Sequence, residues 1–134
     1  EAVVLPRPGL IPHFFTIIKQ HGALLAKGRL LGIQFDTLFT DGLYEKLGAP
    51  AMAAADHIRA ALRECGYTLC FDSPTNQVFC ILDNDTMARL AQKVDFGFWE
   101  KYDDTHTIVR FATSWATDMG DVKLLKDALR DAWQ

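Results

Sequence analysis

Tyr67-Thr68-Leu69-Cys70-Phe71, then Ser73-Pro74-Thr75-Asn76, then Gln77-Val78-Phe79-Cys80-Ile81-Leu82 is the stretch whose reading decides the fold. Two apolar runs rich in aromatic and β-branched residues flank a turn-forming tetrapeptide, which predicts two strands joined by a short connection. The second run has almost no polar interruption, so it reads as a central strand buried on both faces. Downstream, Asp83-Asn84-Asp85 predicts the capped start of a short helix through Val94, with Met87, Leu90 and Ala91 turned inward. Phe96 to Tyr102 and Thr107 to Thr113 read as two more strands around Asp103-Asp104-Thr105. Gly120 to Trp133 closes the chain as a helix with Val122, Leu125, Leu129 and Ala132 on one stripe. The order strand, strand, helix, strand, strand, helix predicts an α+β fold, in which a small, largely antiparallel sheet carries helices on one face.

Upstream of Tyr67 the chain reads as mostly helical. A helix is expected from near Pro12, with Gly22 interrupting, and another from about Lys27 to Lys46 whose apolar surface (Leu30, Leu31, Ile33, Leu38, Leu43) needs cover on more than one side. Gly48-Ala49-Pro50 is expected to break the pattern before a helix with Ala51, Ala54, Ala55, Ile58, Leu62 and Cys65 at helical spacing, stopped by Gly66. Glu1 to Leu5 reads as a buried strand, closed by Pro6-Arg7-Pro8-Gly9, and a strand without a neighbour needs a sheet that this sequence does not supply. The first residues therefore read as a cut from something longer. The helical region, residues 1–48, and the α+β region, residues 49–134, are the expected division.

Composition narrows the function. With 134 residues, 49% hydrophobic and 23% charged, the chain suits a single globular domain. A net charge of -3 with mixed signs argues against nucleic acid, which demands a basic surface. No apolar run approaches the roughly 20 residues that span a bilayer, and no secretory leader is legible, which leads to the expectation of a cytoplasmic protein. Cys65, Cys70 and Cys80 form no C-x-x-C pair and read as buried thiols. His13, His21, His57 and His106 are scattered without metal-ligand spacing. Asp103 and Asp104 read as turn residues, and Ser114 lacks a nucleophile elbow. Trp115 is expected to anchor the last helix by packing.

Arg110 is the most informative residue. It lies in Thr107-Ile108-Val109-Arg110-Phe111-Ala112, and alternation puts it on the face of Ile108 and Ala112. A guanidinium keeps its proton, so its burial demands an anionic partner, either an internal carboxylate or a ligand. Lys19, Lys27 and Arg29 surround an expected helix start that would suit a phosphate, although the segment fails the phosphate-loop pattern and a solvated helix face explains it too.

Two stretches, Gly22-Ala23-Leu24-Leu25-Ala26-Lys27-Gly28-Arg29-Leu30-Leu31-Gly32-Ile33-Gln34-Phe35 and Val109-Arg110-Phe111-Ala112-Thr113-Ser114-Trp115-Ala116-Thr117, resemble segments of the threonine aldolase and β-eliminating lyase family. The resemblance implies a type I pyridoxal-phosphate fold, of which this chain would be the carboxy-terminal portion, with its small domain closing over a large one. It implies a lyase of amino acid metabolism that cleaves a 3-hydroxy amino acid to glycine and an aldehyde. Arg110 matches the residue that holds the substrate carboxylate, and Lys27 or Arg29 matches a basic position that reaches the cofactor phosphate. The Schiff-base lysine falls upstream of Glu1 in this family, so no residue here takes a catalytic role and the segment alone is expected to be inactive. The implied partners are an amino acid substrate, the missing large domain and further copies in a homo-oligomer. The competing reading is a non-catalytic amino-acid-binding or dimerisation module.

Overall fold

The computed structural model describes residues 3–133. The chain divides into two compact units, Glu1–Thr40 and Asp41–Gln134. The first holds α1 (Phe14–Gln20) and α2 (Arg29–Phe39). The second holds α3 (Leu43–Glu64), β1 (Thr68–Leu69), β2 (Gln77–Asp83), α4 (Asn84–Leu90), β3 (Gly97–Lys101), β4 (His106–Ala112) and α5 (Met119–Trp133).

In the second unit the four strands form one antiparallel sheet in the order β1-β2-β4-β3, which confirms the α+β reading. Both long apolar runs occupy its interior, because strands flanked on both sides bury both faces. Val78, Cys80 and Leu82 of β2 and Val109 and Phe111 of β4 point to one side. There they meet Ala54, Ala55, Ile58 and Leu62 of α3, Leu90 of α4, and Val122, Ala128, Leu129 and Ala132 of α5. Small alanines on α3 and α5 let both helices sit close to the sheet. Burying each large side chain of this set contributes about 1.5–3 kcal/mol. Tyr67 belongs to the same core and keeps its hydroxyl satisfied by donating to the Leu129 carbonyl at 2.7 Å.

Local signals explain the element ends. Asp83 caps α4, its carboxylate accepting from the Thr86 amide at 2.8 Å. That acceptor role, mainly the hydrogen bond to Thr86, holds the Asp83 carboxyl below its ordinary range. Gly66 terminates α3 with φ +84°, and a β-carbon there would stand 3.1 Å from the Trp133 ring. Asp103 accepts from the Thr105 and His106 amides at 2.7 and 2.8 Å, which makes it the turn residue expected, and these bonds pull its carboxyl down to about 2.

Several helical expectations need correction. The break anticipated at Gly48-Ala49-Pro50 lies instead at residues 40–42, where Asp41 and Gly42 both adopt the left-handed conformation (φ 53° and 65°), a state that Gly and Asp tolerate best. α3 then runs through Pro50. The ring sacrifices one helical hydrogen bond, and seven buried residues on its C-terminal side, from Ala51 to Leu62, keep the helix in register. The α2 surface expected to be covered is not: α2 has no buried residue, and Leu30 is 77% exposed. Val3 to Leu5 form no strand, for want of a neighbouring one, and Glu1 and Ala2 of that expected strand lie outside the described residues. Of the three cysteines, all free, only Cys80 is fully buried, and burial pushes its thiol up to about 12. Among the described residues no helix is long and apolar enough to cross a membrane.

Candidate functional site

The register of the sheet places Arg110 at the centre of β4, opposite Phe79 of β2 on one side and Gly97 of β3 on the other. As alternation predicts, it shares the face of Ile108 and Ala112, the side opposite the helices. Here the sheet carries an aromatic run instead of helices. Phe71 packs on Phe79 with ring centroids 4.7 Å apart, and Phe79 meets Trp99 edge-to-face at 5.0 Å. The Arg110 guanidinium lies over Trp99, 5.6 Å from the ring centroid, and Nη1 donates to Gln77 Oε1 at 3.3 Å.

A contrast within the unit shows what is unusual about this arginine. Arg59, 7% exposed, donates to the Asp56 carboxylate at 2.7 Å and to the Thr75 carbonyl at 3.0 Å. Arg63 and Arg130 pair with Asp72 and Asp127, and Arg89 donates twice to the Ala132 carbonyl. Arg110 is half-buried, and none of the ion pairs among the described residues includes it. Of the two partners that the sequence leaves open, an internal carboxylate is not paired with it among the described residues. A partly desolvated guanidinium with one neutral acceptor has strong, unspent capacity for an anion.

On the helix side of the sheet, a cleft of about 450 Å³ lies among α3, β3, β4 and α5; Arg110 is one of its lining residues, but its guanidinium belongs to the opposite, aromatic face. Ile58, Val122 and Leu125 give it an apolar wall, while Asp95, Thr117 and Asp121 make it polar elsewhere.

Lys27 and Arg29 belong to the first unit and are both exposed. Arg29 opens α2 behind the N-cap residue Gly28, which supplies no side-chain cap, and no acidic residue stands in the first turn. Free backbone donors, the positive helix end and two cations together match a phosphate, so the donor set fits the phosphate end of the implied cofactor. Trp115, expected to pack, is 67% exposed. It sits in a turn closed by Ser114 and Thr117, the Ser114 amide donating to Thr117 Oγ1 at 2.8 Å, which carries its ring outward.

Sequence reasoning missed Gln77, Gly97 and Trp99. Gln77 and Gly97 reach Arg110 only through the strand register. Trp99 shares the face of Gly97 by alternation but likewise meets Arg110 only because β3 pairs with β4, in a register that shifts between Phe98 and Glu100.

No protein-family model matches the chain, and no curated protein does. Among solved structures, a threonine aldolase from Leishmania major is 39% identical over 92% of this chain, with a TM-score of 0.85. The match covers 36% of that enzyme's chain. At this identity the likeness extends beyond fold to sequence, and it bears out the resemblance read from the two stretches around Lys27 and Arg110. The chain is a threonine aldolase-like α+β segment, equivalent to part of such an enzyme.

Proposed function

We propose that this chain is the carboxy-terminal part of a pyridoxal-phosphate-dependent aldehyde-lyase that cleaves a 3-hydroxy amino acid to glycine and an aldehyde, and that it supplies the clamp for the substrate carboxylate. The observation that carries the reading is Arg110: a guanidinium on an interior strand, over the Trp99 ring and hydrogen-bonded to an amide, with no carboxylate paired to it among the described residues. Residues 49–134 act as the small domain that closes on the substrate, and residues 1–48 lead out of a large domain, supplied by further polypeptide, in a homo-oligomer.

Arg110 performs binding and orientation. A fork-shaped pair of N–H donors fixes both oxygens of a carboxylate, and with them the direction of the bonds at the α-carbon. Lys27 and Arg29 hold the cofactor phosphate by charge and through the α2 amides. When bound, pyridoxal phosphate supplies the electron sink for cleavage between the α and β carbons. No residue of this chain is assigned a catalytic role.

The test is aldehyde release from threonine by the full natural polypeptide carrying Arg110→Ala or Arg110→Lys. Alanine is expected to cost about 2–5 kcal/mol in kcat/KM, as does loss of one partner of a buried charge pair. Lysine keeps the charge without the fork and should fall between. An unchanged kcat/KM for Arg110→Ala rejects the clamp. The self-contained core of the second unit favours one other reading, a non-catalytic amino-acid-binding module. Amino acid binding without aldehyde release would select it.

A further inference from the structure

We infer that the carboxylate docks on the Nε–Nη2 edge of Arg110, and that Gln77, Trp99 and Gly97 are the positioning residues that present this edge. The inference rests on the reading of Arg110 as a clamp and specifies how the clamp is built.

A guanidinium has three edges and two faces, and three different neighbours stand around this one. Nη1 is engaged by Gln77 Oε1 at 3.3 Å. Cζ lies over the Trp99 ring, 5.6 Å from its centroid, and that ring is itself braced by Phe79. At the remaining side, Gly97 leaves room: a β-carbon there would stand 3.5 Å from Nε and 3.6 Å from Nη2. That contact is ordinary for a single carbon, but a branched side chain would extend over the same edge. Nε and Nη2 are the two parallel donors with which arginine grips a carboxylate bidentately. Gly97 stands near both of them and has no side chain to extend toward them.

The identity of residue 77 matters as much as its position. Gln77 stands two residues from Phe79 on the same strand face, which makes it the diagonal neighbour of Arg110. An amide oxygen orients a guanidinium without neutralising it. A carboxylate at the same place would form a charge-assisted pair, roughly twice as strong as a neutral hydrogen bond, and compete directly with the ligand. Arg59 shows that outcome within this fold: it has an Asp56 carboxylate and is committed to structure. Neutral Gln77 therefore selects for an incoming anion.

The experiment compares Gln77→Glu, Gly97→Val and Arg110→Ala in the full natural polypeptide. Calorimetric titrations use L-threonine and its carboxylate-free analogue L-threoninol, and a thermal midpoint for each variant separates lost binding from lost fold. Valine suits a strand and Gly97 has no positive φ, so Gly97→Val is expected to fold; if either variant unfolds, the other decides. We expect Gln77→Glu and Gly97→Val each to weaken threonine by about tenfold or more while threoninol stays within about twofold, because only the carboxylate contact is lost. Threonine affinity at the native level in both variants, with affinity lost in Arg110→Ala, overturns the positioning roles and leaves the clamp standing. Native affinity in Arg110→Ala overturns the clamp itself.

Discussion

The two units of this chain have similar kinds of side chain and opposite fates for them. Residues 41–134 bury leucines, valines and alanines from three helices and two strands in one core. In the first unit, Leu30, Leu31, Ile33 and Phe39 are exposed, and none of its described residues is buried. Apolar periodicity therefore built helices in both places, but only the second unit offers a sheet against which to bury them. Helices as short as α1 and α2 gain little stability on their own, since most helical stability in proteins comes from packing an amphipathic face. Stability is concentrated in the second unit, and with it the rigid platform that holds Arg110.

That comparison can be broken most sharply in the core. Leu129→Ala removes a side chain with no solvent exposure from the core that helices and sheet share, and should cost about 2–5 kcal/mol in urea unfolding. A cost below about 1 kcal/mol would mean the core is far looser than its burial indicates. Gly66→Ala comes next. It forces an L-residue into φ +84° and puts a β-carbon against Trp133, for an expected loss of about 1–3 kcal/mol.

Asp83→Ala should cost about 1 kcal/mol by removing the α4 cap. Its pH dependence has a definite sign. Because the folded carboxyl is depressed, Asp83 stabilises the fold above the unfolded carboxylate pKa of about 3.9, and that contribution disappears as pH falls through the folded value. The difference between native and Asp83→Ala proteins should therefore be full near pH 7 and shrink below pH of about 4; a constant difference would point to packing instead. At the small end, Leu30→Ala should change stability by no more than about 0.5 kcal/mol. A large loss there would show that α2 has a partner in solution and erase the contrast between the units.

Much of the fold was legible because its signals are local. Asp83 announces α4, Gly66 ends α3, and the uninterrupted runs around Cys80 and Val109 mark the two interior strands. The helix boundaries around residues 40–50 were misread because Pro50 is the stronger local breaker, whereas burial from Ala51 onward keeps α3 whole. Arg110 stood out in the sequence as a charge in an apolar strand.

By itself, then, the sequence determined the kinds and order of the elements, the side of β4 that Arg110 occupies, and the likeness to threonine aldolases carried by two contiguous stretches. Only the tertiary structure decided that β2 pairs with β4, and so that Gln77, Phe79 and Gly97 surround Arg110. The bulge beside Trp99, and the lack of an acidic partner for Arg110 among the described residues, were settled there as well. The reason is physical: periodicity and capping act over a few residues, while register, bulges and ion pairing depend on which distant strands the shared core brings side by side.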